Sequence, residues 1–329
     1  MYRNFFGLRD TPFAVSPDPR YLYRTKAIQE ALAGLTYGIE SRKGFLLLTG
    51  EVGTGKTTLL NRLLDWLREK DVATAYVFNS QHLSVRQLFD FILADFGIAT
   101  DLRVKSQMLM KLNQWLLERY RKGKTTVLII DEAQNLSESL LEEVRLLTNL
   151  ETPNGKLLQI ILSGQPELEE IISRPQLRQL RQRIMLRCKT LPLTQEETHA
   201  YIAERLRVAG SRGEPIFSHE AIDAIYGYAH GIPRVVNLLC EHSLINAFAD
   251  EIKPIPAQVV DVVASEFQLD TISPVARQSP SPLPPTPSGE ESVRSSIVQV
   301  ETLLQNLRSF LYGAESAQRG TAAGTERKS

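Results

Sequence analysis

The chain has 329 residues, 43% hydrophobic and 23% charged, the proportions of a globular protein with enough length for two compact domains. Its 38 basic residues balance 38 acidic ones, so no net field draws it to nucleic acid or anionic lipid, and only local patches could do so. The two cysteines, Cys188 and Cys240, stand too far apart for a metal motif and are expected to be buried thiols in a reducing compartment.

In chain order, the opening MYRNFFGLRDTPFAV lacks the apolar stretch of a signal peptide. No apolar run approaches the roughly 20 residues needed to span a bilayer. The expectation is a cytoplasmic chain with no membrane span of its own. Apolar, β-rich runs follow at residues 45–50 (FLLLTG), 73–79 (ATAYVFN), 125–131 (TTVLIID), 157–164 (LLQIILSG) and 184–191 (IMLRCKTL). Between them lie stretches with helical spacing, such as TLLNRLLDWLREK and SLLEEVRLLTNLE. Strands that are apolar throughout, separated by helices, predict a parallel sheet covered on both faces, over residues 1–191.

From Pro192 the strands stop. Thr194 and Glu197 have capping-box spacing at the start of one helix, which closes on Gly210, and Ser218 is the expected N-cap of the next, with Gly231 beyond its end. Two more helical stretches, near 233–249 and 256–267, complete a small all-helical domain over 192–270. Residues 271–290 are rich in proline and serine and predict an extended, unfolded linker. In the tail, 291–329, Val293, Ile297, Val300, Leu304, Leu307 and Leu311 recur at gaps of 4, 3, 4, 3 and 4. That spacing fits a coiled-coil seam or a lone amphipathic helix, and the sequence does not choose.

The stretch that carries chemistry is GEVGTGKTT, directly after the first strand. Gly50, Gly53, Gly55, Lys56 and Thr57 fit G-x-x-x-x-G-K-[ST], within the run Gly50, Glu51, Val52, Gly53, Thr54, Gly55, Lys56, Thr57, Thr58. Glycines let the backbone turn sharply and aim successive N–H groups at phosphate, and the helix that follows adds the positive end of its dipole. Lys56 can reach the β- and γ-phosphates of ATP, and the Thr57 hydroxyl can bind Mg²⁺. The apolar run VLIIDE delivers Asp131 and Glu132 to the carboxyl end of a strand, where ligands sit in open α/β sheets. Asp131 would hold Mg²⁺, directly or through water, while Glu132 would orient and deprotonate the attacking water. The five histidines occur singly and are taken as structural or surface residues; His242 follows Cys240 by two positions, but ligands so placed on one helix do not converge.

These residues resemble those of an AAA+ ATPase, an α/β P-loop NTPase with a parallel sheet flanked by helices and an all-α lid. More narrowly, the chain is similar to the general secretion pathway protein A (ExeA-type) group, which includes relatives associated with exopolysaccharide and exosortase systems. The resemblance covers roughly residues 1–268 and rests on FFGLRDTPFAVSPDPRYLY, LLLTGEVGTGKTTL, LIIDEAQNL, LSGQPEL, LRQLRQRI and GIPRVVNLLC. It implies a Mg²⁺-dependent ATPase that acts as a switch or motor in a secretion or envelope export system and assembles as a homo-oligomer. It also implies site roles. Ser163 or Gln165 would be the first sensor, Arg234 in GIPR the second, and Pro12, Phe13 and Pro17 would border adenine. Arg183 resembles the finger inserted into a neighbour's site, with Arg181 in reserve. The basic run Arg174, Arg178, Arg181, Arg183 and Arg187 could otherwise be a solvated helix face or a groove for DNA.

Transposition ATPases of the TniB and MuB kind have a closely related core, so a DNA-binding regulator is the rival reading. A third is a slow, nucleotide-gated adaptor whose tail captures the partner. Secretion ATPases of this group continue into a membrane span and a peptidoglycan-binding region, where this chain has the linker and tail. Any membrane contact is therefore expected through a partner, which would leave the protein peripheral to the inner membrane.

Overall fold

Five of the apolar runs become the strands of one parallel sheet: β1 (Phe45–Thr49), β2 (Ala73–Val77), β3 (Thr126–Ile130), β6 (Gln159–Gly164) and β7 (Ile184–Lys189), with β4 (Glu151–Thr152) and β5 (Gly155–Lys156) forming a separate antiparallel pair. The computed structural model describes residues 1–269 except 15–17, 79–82, 100–101 and 154. The proposed linker at 271–290 and the heptad tail therefore lie outside the described residues.

Strand geometry explains why these runs are apolar at every position. Successive side chains point to opposite faces, so a strand covered on both sides needs apolar residues on both. In β1, Phe45 and Leu47 enter one core while Leu46 and Leu48 enter the other. The same alternation divides Leu128 and Ile130 from Val127 and Ile129 in β3. Each of these leucines and isoleucines is fully buried, a burial that contributes about 1.5–3 kcal/mol per side chain.

The helices are α1 (Tyr2–Phe5), α2 (Lys26–Glu40), α3 (Lys56–Glu69), α4 (Val85–Asp95), α5 (Lys105–Arg121), α6 (Glu138–Leu147), α7 (Pro166–Ser173), α8 (Arg178–Arg183), α9 (Gln195–Val208), α10 (His219–Ala229), α11 (Pro233–Ala249) and α12 (Ala257–Glu266). α2 and α3 cover one face of the sheet with Leu35, Ile39, Leu59 and Leu63, and α4 to α8 cover the other.

α9 to α12 make a helical layer with its own core, built from residues such as Ile202, Ile225, Leu239 and Val260. The capping box at Thr194 and Glu197 forms, and the Ser218 hydroxyl accepts from the Ala221 N–H, as their spacing predicts. The N-terminal segment joins this layer, since Phe6, Leu8 and Phe13 are buried in it. Both layers belong to one compact unit, Met1–Ile272.

The sheet order is β2-β3-β6-β1-β7. β1 thus runs between β6 and β7, with β3 on the far side of β6. Thr49 pairs in register with Gly164, and Ile130 with Leu162. This order brings Gly50, Asp131 and Gln165, each just past the end of its strand, to one edge of the sheet.

Candidate nucleotide site

At that edge the chain leaves β1 through a glycine-rich loop and enters α3. Gly50 packs so tightly that an added Cβ would lie 2.0 Å from the Thr190 hydroxyl. Gly53, at φ +80°, would place a Cβ 2.7 Å from Cβ of Arg234. Gly55 caps α3 in the left-handed conformation at φ +95°. These are the positions where the backbone turns, and no side chain but hydrogen fits the first two. The Thr54 hydroxyl lies 2.7 Å from that of Thr190, fastening the loop to the end of β7.

Lys56 is buried at the start of α3. Its ammonium donates to the carbonyl oxygens of Gly50 at 2.7 Å and Glu51 at 3.0 Å. Burial lowers its pKa, and the nearby Glu132 and Asp131 carboxylates pull in the opposite direction. One residue on, the Thr57 hydroxyl donates to Oδ2 of Asp131 at 3.4 Å. The Asp131 carboxylate is oriented from two further sides, by the Tyr76 hydroxyl at 2.8 Å and the Glu132 N–H at 3.0 Å. Tyr76 is itself pushed well above the ordinary tyrosine range, first by burial and then by Asp131, so it remains a donor.

Glu132 sits at φ +51°, in the left-handed region, and it lines the same cavity as Lys56 and Thr57. Its Oε2 accepts from the amide of Gln134 at 2.6 Å and from that of Gln165 at 3.1 Å. The backbone N–H of Gln165 donates in turn to Oε1 of Gln134 at 3.2 Å, closing a ring through three residues. Gly164, one position earlier, would put a Cβ 2.7 Å from that Gln134 oxygen. Of the two sensor candidates, Gln165 touches Glu132, whereas the Ser163 hydroxyl is fully buried and has no hydrogen-bond partner among the described residues.

The cavity has a volume of about 480 Å³ and is bounded by both layers. Val52, Gly53, Thr54, Gly55, Lys56, Thr57 and Thr58 form its floor, and Arg234, on the first turn of α11, closes one side. The Arg234 N–H donates to the Gly53 carbonyl at 3.2 Å, so the helical layer touches the loop directly. The far wall carries Tyr21, Leu22, Tyr23, Tyr201 and Arg205.

Pro12 and Phe13, expected to border adenine, are not among the residues that line this cavity. Phe13 is only 1% exposed, locked edge-on against Phe217 in the helical core, and the Pro12 carbonyl accepts from Nε of Arg205 at 2.5 Å. The N-terminal segment reaches the cavity instead through Ala14 and Asp18, and Pro17 lies outside the described residues.

Arg183 is half-buried at the end of α8, where its guanidinium donates to Asn149 at 3.3 Å. It precedes Ile184, which pairs with Phe45 at the start of β1, so it lies at the opposite edge of the sheet from the glycine-rich loop. Of its basic neighbours, Arg174 pairs with Glu138 at 2.7 Å and Arg187 approaches Glu169 at 3.8 Å, while Arg181 donates to the Ser173 carbonyl at 3.4 Å.

Both cysteines are buried free thiols, and burial raises Cys188 to about 11. The histidines are not all isolated. His199 and His219 converge on Asp223, which the sequence reading missed because the imidazoles come from two helices. It also missed Tyr76, Gln134 and Arg205. Gln134, two residues beyond Glu132 in LIIDEAQNL, had the clearest signal, a buriable amide within reach of the carboxylate.

An AAA domain matches residues 39–172. The chain is 46% identical over 250 residues to general secretion pathway protein A of Aeromonas hydrophila, an alignment covering 76% of this chain and 45% of that protein. The chain thus spans less than half the length of this relative. Among solved structures, Cdc6p from Pyrobaculum aerophilum superposes with a TM-score of 0.61 at 17% identity, covering 79% of this chain and 71% of that one. The Aeropyrum pernix ORC2 protein, solved in ADPNP-ADP complexes, gives 0.55 at 18% identity, covering 74% and 70%. The fold, the glycine-rich loop at the sheet edge and the close relative agree: this chain belongs to the AAA+ ATPase family, as a relative of general secretion pathway protein A.

Proposed function

We propose that the chain binds ATP with Mg²⁺ in the cavity between sheet edge and helical layer and hydrolyses it to ADP and phosphate. One observation carries this reading. Lys56, Thr57, Asp131 and Glu132 meet at the ends of β1 and β3, and Arg234 reaches the same cavity from the helical layer. The residues fit the group they would hold. The loop is cleared of side chains at Gly50 and Gly53, and the Thr57 hydroxyl and Asp131 carboxylate form a hard-oxygen pair of the kind Mg²⁺ takes while keeping several waters. Bound there, Mg²⁺ would neutralise charge on the phosphates.

The chain's own residues would do the rest. Lys56 would leave the Gly50 and Glu51 carbonyls for the phosphates. Glu132 would take a proton from the attacking water at its carboxylate as oxygen bonds to the γ-phosphorus and the bond to the β–γ bridging oxygen breaks. Gln165, already against Glu132, would be the amide that feels the γ-phosphate. Arg234 would report the same phosphate to the helical layer, because its backbone is tied to Gly53.

The position of Arg183 supports assembly. Its own site lies a full strand length away across β1, too far for its side chain, whereas a neighbouring copy could receive it. A secretion or envelope export role draws on the likeness to general secretion pathway protein A. No helix among the described residues is long and apolar enough to cross a membrane, in keeping with a cytoplasmic ATPase that meets the inner membrane through a partner, captured by the tail.

The test is ATP hydrolysis by the full chain alone, with duplex DNA, with peptidoglycan and with membrane extract. Magnesium-dependent turnover, raised by membrane extract, supports the reading. Failure to bind ATP would overturn it, and salt-sensitive stimulation by DNA alone would move the protein to the regulator class.

A further inference from the structure

The first turns of α9 and α10 lie side by side in the helical layer. His199 projects from α9, and His219 and Asp223 stand four residues apart on one face of α10. Nε2 of His199 is 2.8 Å from Oδ1 of Asp223, and Nε2 of His219 is 3.8 Å from Oδ2 of the same carboxylate. The two rings face each other with centroids 4.5 Å apart, and all three donor atoms lie within 4.8 Å of one another.

We propose that His199, His219 and Asp223 form a site for a divalent transition-metal ion of the Zn²⁺ class, tying α9 to α10. Ligands about 2.0–2.1 Å from a tetrahedral ion stand roughly 3.3–3.5 Å apart. The observed spacings are 2.8 Å to Oδ1 and 3.8 Å to Oδ2 of the carboxylate, and the three donor atoms span no more than 4.8 Å, so the two imidazoles and the carboxylate would turn to close on an ion. Two imidazole nitrogens and one carboxylate oxygen suit Zn²⁺, Co²⁺ or Ni²⁺ and are poor ligands for Mg²⁺ or Ca²⁺.

The surroundings are those of an oriented site. Both helices begin with side-chain caps, at Thr194 and Ser218, which hold their first turns. The amide of Gln195 donates to Oδ1 of Asp223 at 2.8 Å, the kind of outer contact that fixes a ligating carboxylate. His199 is 22% exposed and His219 77%, so the pair forms one sheltered and one open side with access for an ion. Three protein ligands leave the fourth position to water. Later turns of α9 carry Tyr201 and Arg205 to the nucleotide cavity, so a bound ion would brace the helix that forms its far wall.

The test uses the full chain without a histidine tag, titrated with Co²⁺ and with Zn²⁺ in excess Mg²⁺, which keeps the oxygen ligands at Thr57 and Asp131 engaged. One Co²⁺ per chain with visible absorption typical of nitrogen ligands is expected, and Zn²⁺ should displace it and raise the melting temperature. His219→Ala removes an exposed side chain and should keep the fold, checked by circular dichroism, while weakening Zn²⁺ binding at least tenfold. Asp223→Asn should do the same, and His242→Ala should leave it unchanged. Equal binding by wild type and His219→Ala overturns the site, as does a wild type that takes up neither ion.

Discussion

The ammonium of Lys56 donates to the Gly50 carbonyl at 2.7 Å, at the start of the very loop that lines the cavity. The charge is stored on the backbone it would leave for phosphate. Burial meanwhile keeps its pKa below the ordinary 10.5. A phosphate would restore the charged form, so just below pH 10.5 the complex holds more protons than the free protein. ATP binding in that window should take up protons, read from binding enthalpies in buffers of different ionisation heat. Lys56→Ala should lose that uptake and weaken ATP binding about 100-fold or more, given charge-assisted hydrogen bonds of about 1.5–3 kcal/mol each.

Glu132→Gln should separate binding from turnover. An amide can sit between Gln134 and Gln165 but cannot take a proton from water, so ATP affinity should hold while turnover falls about 10²–10⁴-fold. Single-turnover hydrolysis beside equilibrium binding measures both. A normal hydrolysis rate in this variant would remove the role assigned to Glu132.

Tyr76→Phe tests the support behind the metal ligand. The hydroxyl is one of three donors on Asp131, and its loss leaves the carboxylate less firmly aimed without emptying the core of its ring. Outer contacts of this kind typically change metal affinity 10–100-fold. The Mg²⁺ concentration needed for half-maximal hydrolysis should rise about tenfold, with little change in melting temperature. An unchanged Mg²⁺ requirement would make Tyr76 a packing residue only.

Arg183→Ala should bind ATP normally and turn over poorly, because a finger supplied by another chain typically raises turnover about 10³–10⁵-fold. Wild-type specific activity should accordingly climb with protein concentration. Mixing Arg183→Ala with Lys56→Ala should recover part of it, since one partner keeps its nucleotide site and the other its finger. Activity that stays constant down to a proven monomer would refute action between subunits, and rescue with Arg181→Ala in place of Arg183→Ala would move the finger two residues.

By itself the sequence determined the elements and the local motif. Runs such as Phe45–Thr49 and Thr126–Ile130 read as buried strands because every position is apolar, and the caps at Thr194 and Ser218 were legible because a cap depends on its own turn. The glycine-rich loop is equally local, since its conformation follows from where glycine stands. The short pair Glu151–Thr152 and Gly155–Lys156 was not legible, because two-residue strands carry no periodicity. Only the tertiary structure decided the neighbours. Thr57 and Asp131 are 74 residues apart, and Glu132 and Gln165 are 33; each pair meets because the order β2-β3-β6-β1-β7 lines up three strand ends. Packing likewise turned Phe13 into the helical core and left the cavity wall to Tyr21, Tyr201 and Arg205. His199 and Asp223, 24 residues apart, meet for the same reason: a helix shows its face in the sequence, but which helix packs against that face is set by the summed burial of the whole layer.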